Sequence, residues 1–151
     1  HLIGLDSIMF KRNGQVVKTK GNVSYFNNVV YSVVASKRIV GGHSLAELLS
    51  IQKIPINKGI YKISNFDPWG TNPMPFGNIY WSVEDVVVGK LQTVDRFPDD
   101  YIEVIEADTV AKTVEGRFQF HLINIESQYL EEYGLPDSLN ITEGVFYLKL
   151  Q

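Results

Sequence analysis

Cysteine is absent from this chain, which excludes disulfides, thiolate metal centres and cysteine nucleophiles. A basic excess is missing too. Lys and Arg number 14 against 17 Asp and Glu, for a formal net charge of −3. Nucleic-acid affinity rests on neutralised phosphates, so no nucleic-acid partner is expected. No apolar run approaches the roughly 18 residues of a membrane span. Internal repeats, low-complexity tracts and linkers are also lacking. Residues 1–151 are therefore read as a single β domain.

What is present favours pleated structure. Aromatic residues reach 12%, with eight Tyr and eight Phe among many Val and Ile, the residue types that fit a half-buried sheet. Gly, Asn and Pro recur at short intervals with strand-like runs between them. That rhythm predicts an all-β antiparallel sandwich or barrel of nine or ten strands, with at most one short helix.

In Ser7 to Arg12, Ile8 and Phe10 alternate with Met9 and Lys11. Asn13-Gly14 follows as a hairpin turn, because both residues tolerate positive φ, and Gln15 to Lys20 returns. Val23 to Ser36 is strand-rich with a turn or bulge at Asn27-Asn28, and Ile39-Val40 leads into Gly41-Gly42. Ser44 to Pro55 fits two patterns. Ser44 and Glu47 make a helical capping box, with Leu45, Leu48, Leu49 and Gln52 as a stripe. Glu47, Leu49, Ile51 and Lys53 instead share one face of a strand, the reading preferred here. Further strands are expected at Gly59 to Ser64, Asn78 to Glu84, Val86 to Val94 and Tyr101 to Ala107. Val114 to Ile123 carries Phe118, Phe120 and Leu122 on one face and Arg117, Gln119 and His121 on the other. Gln128 to Tyr133 reads as one helical turn. Two short strands, Leu139 to Thr142 and Val145 to Leu150, join at Glu143-Gly144. Gly59, Gly116 and Gly144 each precede a strand and are read as supplying turn or bulge conformations.

Signatures of catalysis are missing. The carboxylates at Asp95, Asp99, Asp100, Glu103, Glu106 and Asp108 form an acidic stretch without the oxygen spacing of a calcium loop, so a solvated acidic turn is expected. A glycosidase would need two of them across a cleft, roughly 5 to 9.5 Å apart. His1, His43 and His121 show no metal-binding spacing. No metal and no cofactor is expected, and no residue is assigned a catalytic role.

One segment stands out. Phe66 to Gly77 holds three of the six prolines, one of the two tryptophans and two phenylalanines. Proline narrows the unfolded ensemble, so such a loop is preset in shape. Its aromatics either plug an open barrel end or present a contact surface. Trp69, Phe66, Met74, Phe76 and Asp67 are the candidate partner- or glycan-binding residues. Tyr80 and Trp81 face opposite sides of a strand, so one enters the core. Tyr129 to Pro136 is expected to pack on the sheet edge as a cap.

Three stretches together resemble a family of small surface lipoproteins from Bacteroidota whose function is unknown. Phe10-Lys11-Arg12-Asn13-Gly14 is similar to that family's opening aromatic strand, and Gly59-Ile60-Tyr61-Lys62-Ile63 to its central Gly-Thr-Tyr strand. Asp108 through Val114-Glu115-Gly116-Arg117-Phe118-Gln119-Phe120, followed by Leu139-Asn140-Ile141-Thr142-Glu143-Gly144-Val145-Phe146, looks like its Gly-Thr-Phe-x-Phe and Ile-Thr-x-Gly-x-Phe strands. Ile60 and Arg117 stand where the family has Thr. The resemblance implies an exported, lipid-anchored domain at the outer-membrane surface or in the periplasm, with no catalytic motif to carry over. Because the chain opens with His1 and not Met, a processed or trimmed start is expected. Any membrane contact would then run through a lipid anchor upstream of His1. The expected function is a non-catalytic binding or accessory domain contacting an outer-membrane protein complex or a glycan. A lipocalin-like small-ligand carrier and a glycan hydrolase working through the acidic turn are the alternatives.

Overall fold

Asn13 and Gly14 turn the chain with positive φ, 47° and 83°. This is the twist that lets a two-residue loop join right-twisted strands. The strands on either side, β1 (Ser7–Arg12) and β2 (Gln15–Phe26), pair from Ser7 opposite Lys20 to Arg12 opposite Gln15. The computed structural model describes residues 1–26, 29–40 and 44–150. The expectations for Asn27-Asn28, Gly41-Gly42 and His43 lie outside those residues.

Every pairing is antiparallel. After β2 come β3 (Val29–Val40), β4 (Ser44–Gln52), the two-residue β5 (Ile54–Pro55) and β6 (Gly59–Lys62). They are followed by β7 (Phe76–Val83), β8 (Val86–Gln92), β9 (Tyr101–Asp108), β10 (Thr113–Ile123) and β11 (Ser138–Lys149). One curled sheet contains them in the order β11-β1-β2-β3-β4-β7-β8-β10-β9-β6, with β5 beside β3. Because β11 also pairs along β10, the ladder runs round the barrel and returns from β8 to β10 through one pair, Ile123 opposite Gln92. From Thr113 to Gln119 the same edge of β10 holds β9 instead, and β6 extends that arm. Among the described residues no helix is long and apolar enough to cross a membrane.

Period-two burial builds the core. Ile8 and Phe10 point inward from β1, Leu49 and Ile51 from β4, Ile79 and Trp81 from β7, and Phe118, Phe120 and Leu122 from β10. Phe118 sits between Phe120 and Phe146, with ring centroids 5.6 and 6.2 Å away. Each such side chain contributes roughly 1.5–3 kcal/mol relative to exposure. Trp81, not Tyr80, is the aromatic that enters the core.

The strand reading of Ser44 to Gln52 holds, but the pleat breaks one residue early. Lys53 takes φ 59° and does not continue the face of Glu47, Leu49 and Ile51. Glu143-Gly144 is a bulge, not a join between two strands. β11 runs through it, and the register against both β1 and β10 slips by one residue there. The bulge conformation belongs to Glu143, at φ 49°. Gly144 and Gly116 both lie at register shifts, as expected, and each serves a second need as well. A Cβ at Gly144 would sit 2.5 Å from the Phe118 ring, and one at Gly116 would run into the Glu103 carbonyl and the Phe146 ring. These glycines make room for neighbours. The expected helical turn is a single 3₁₀ turn, Glu131–Tyr133, and Leu130 before it is buried against Gly89 and Trp81.

Glu84 and Asp85 join β7 to β8 with φ of 47° and 70°, a conformation that side chains other than Asn and Gly adopt at a cost. Replacing the pair by Asn-Gly is expected to raise the unfolding free energy by about 0.5–2 kcal/mol, the usual gain from relieving such strain. Urea unfolding checks it, and an unchanged midpoint would remove the strain argument.

Candidate functional site

The Pro-rich loop is fixed at both ends by one threonine. Thr93, fully buried after β8, donates its hydroxyl to the Ser64 carbonyl at 2.8 Å and accepts the Gly77 N–H at 3.0 Å. Its own N–H donates to Gly77 O at 3.0 Å, and its carbonyl accepts the Phe66 N–H at 3.1 Å. The Ser64 N–H and hydroxyl both donate to Pro75 O, at 2.8 and 3.0 Å. The loop therefore leaves and re-enters the sheet through a closed set of hydrogen bonds, with little backbone freedom at its base.

Between those ends the five candidate residues divide. Phe76 is 1% exposed and meets the half-buried Phe66 edge-on, with centroids 5.3 Å apart. Two lysines frame this pair. Lys90 Nζ lies 4.6 Å from the Phe66 ring centre and Lys53 Nζ 5.6 Å from that of Phe76. Lys53 also donates to Gly70 O at 3.0 Å and Asn72 O at 2.9 Å. Met74 is half-buried, and its N–H donates to Asn72 Oδ1 at 3.0 Å. Phe76, Ser50 and Gln52 occupy outward-facing positions of neighbouring strands. The loop thus covers the outer face of the sheet and does not plug the barrel interior.

Trp69 is the exception, 96% exposed. It stands at the third position of a turn closed by Gly70 N–H to Asp67 O at 3.3 Å. Asp first, Pro second and Gly fourth are the preferences of a type I turn. The Asp67 carboxylate folds over the space beside Gly70. The tip thus shows a bare indole beside an exposed carboxylate, on a turn whose shape is set before any partner arrives. An aromatic face of this kind stacks on the apolar face of a sugar ring or fills a partner's pocket. The loop and its tip were legible in the sequence. The braces at Lys53, Ser64, Lys90 and Thr93 were not, because which of these residues meets the loop depends on how the strands around it pair.

Two further groupings were missed or misread. Arg12 Nη2 lies 2.7 Å from Glu47 Oε1, which also accepts Trp81 Nε1–H at 2.8 Å. The Glu47 side chain is 4% exposed. Each of the three continues the inward face of its strand, a signal the sequence carried. The acidic stretch is not wholly solvated: Asp100 is buried. Its carboxylate accepts the His121 backbone N–H at 2.9 Å and lies 2.8 Å from His121 Nδ1. Phe97 stacks on that imidazole at 4.2 Å. Asp100 thereby ties the Asp95 to Asp100 loop to β10. Among the described residues no three His, Asp or Glu converge in a metal-holding group.

Two surface hollows lie on the described residues. One, of about 410 Å³, lies between His1, Glu106, Asp108, Glu115 and Tyr147. There His1 stacks on Tyr147 at 4.1 Å and meets Glu115 at 2.7 Å. The other, of about 320 Å³, lies along β8. Comparison with protein families, curated proteins and solved structures gives no match to this chain.

Proposed function

We propose that this chain is a non-catalytic binding or accessory domain that meets an outer-membrane protein complex or a glycan through the Asp67–Gly70 turn. One observation carries the reading: a nearly fully exposed Trp69 on a turn braced by Lys53 and anchored through Thr93 and Ser64. Leaving an indole in water is unfavourable, and a rigid loop loses little entropy on binding. The two together favour a contact residue over a packing one. The envelope location rests on the resemblance to Bacteroidota surface lipoproteins, which also suggests a lipid anchor.

Trp69→Ala tests the contact. The unfolding free energy is expected to stay within about 0.5 kcal/mol, as for a surface change. Retention of chains that co-purify in mild detergent, or of a glycan titrated against tryptophan fluorescence, should fall about 30-fold, the effect of a 2 kcal/mol hot spot. Trp81 is buried, so a ligand-induced fluorescence change reports on Trp69. A native protein that purifies alone and leaves its fluorescence unchanged with every glycan would overturn the proposal. The carrier alternative needs room inside the barrel. Among the described residues, inward positions are filled by Trp81, Phe118, Phe120, Phe146 and their neighbours, which does not favour it. The hydrolase alternative draws on the acidic turn with Asp99, Asp100 and Glu103, of which Asp100 is engaged with His121.

A further inference from the structure

A strand offers hydrogen-bonding groups on both sides, and β8 has one side only partly occupied. Along one side it pairs with β7 from Val86 to Gln92. Along the other, pairing starts at Gln92 opposite Ile123 and is continued by a side chain. The Ser127 hydroxyl accepts the Lys90 N–H at 2.9 Å and donates to the Lys90 carbonyl at 3.0 Å. Asn124 holds Ser127 in place, accepting its N–H at 2.8 Å and donating to its carbonyl at 3.0 Å. The substitute ends there. Beyond Ser127, Gln128 and Tyr129 stand off from β8 as the facing wall of the 320 Å³ hollow against Val87, Val88 and Gly89. Among the described residues no strand pairs with this side of Val86–Val88. The rim is apolar, with Val86, Val87, Ile125 and Tyr129 all exposed. An open edge beside exposed valines is a template for strand addition.

Charge decides the occupant. Glu84 and Asp85 are exposed at one end of the open edge and Glu126 at the other. Among the described residues Lys90 faces this edge and meets Glu126 at 3.4 Å and the Phe66 ring, so the excess of negative charge lies at the Glu84–Asp85 end. A second copy docking this edge antiparallel would lay its own acidic turn beside Glu126. We propose that the β8 edge accepts an extended segment of another protein, apolar at alternate positions and carrying Lys or Arg at its ends.

The probe is a synthetic peptide, Lys-Val-Thr-Val-Thr-Val-Lys, with a counterpart ending in Glu. The lysine-ended peptide is expected to shift the amide resonances of Val86 to Gly89 and of Ile125 to Tyr129, and to leave those of β6 in place. The Glu-ended peptide should bind at least 10-fold more weakly. Val87→Lys, an exposed position that leaves the core intact, should cut binding at least 10-fold with an unchanged unfolding midpoint. Trp69→Ala should bind the peptide as the parent does, which separates this edge from the loop. Equal binding of the two peptides, no shift at these amides, or concentration-dependent dimers abolished by Val87→Lys would each overturn the proposal.

Discussion

Arg12→Met is expected to lower the unfolding free energy by about 3–5 kcal/mol, the range for removing one partner of a buried ion pair. Glu47 keeps its carboxylate inside the barrel, with Trp81 Nε1–H as its remaining donor. Arg12 is the less buried partner, at 13% against 4%, so losing the arginine should harm more than losing the acid. The double variant Arg12→Met with Glu47→Leu should recover most of the loss. What then stays unpaired is the indole N–H, at roughly 1–3 kcal/mol, partly offset by better apolar packing. Urea unfolding followed by tryptophan fluorescence decides it. A double variant no more stable than Arg12→Met would mean that the stranded carboxylate is not the source of the loss.

Gly116→Ala should be comparably damaging. The added methyl meets the Glu103 carbonyl of the paired strand β9 and the fully buried Phe146 ring. Backbone oxygen cannot step aside without opening the ladder, and Phe146 has filled space behind it. Overpacking typically costs about 1–3 kcal/mol, and the backbone clash puts this position at the upper end, near 3 kcal/mol or beyond. Gly59→Ala is the control. Its nearest obstacle is the end of the Tyr61 side chain at 3.4 Å, so a change within about 0.5 kcal/mol is expected. Thermal unfolding of the two variants side by side would expose an error, since equal losses would show that crowding at Gly116 is not what matters.

The strands were legible because burial alternates with the pleat. Phe118, Phe120 and Leu122 announce their face without outside help, and Asn13-Gly14 and Glu84-Asp85 mark their turns by residue type or spacing. The candidate loop was equally plain, since three prolines and two aromatic types in a dozen residues have no place in a strand. What the sequence hid depends on which strand lies beside which. Thr93 gives no local hint that it clamps Ser64 to Gly77, and Lys53 looked like one more strand residue. Gly116 and Gly144 invited a conformational explanation alone, because what crowds them, the Glu103 carbonyl of β9 and the rings of Phe118 and Phe146 from β10 and β11, comes from contacts invisible in one dimension. The Arg12, Glu47 and Trp81 cluster lies between these cases. Its members sit at inward positions where polar groups need partners, but the pairing of β1 with β4 and β7 across the interior was not written in any of them.

β1 is held on one side by its hairpin partner and on the other by β11, whose contacts with it run from Tyr147 back to Ile141. The first strand of the sheet is thus stitched to the last. Such a sheet cannot close until β11 has been made. A growing or emerging chain therefore keeps the outer side of β1 and the rings of Phe10 and Phe118 without their last neighbours until β11 arrives. Large loop-closure entropy before the last contacts form places folding in the slow, milliseconds-to-seconds regime of high-contact-order β proteins. In that interval the molecule depends on whatever shields an unfinished sheet from its own kind.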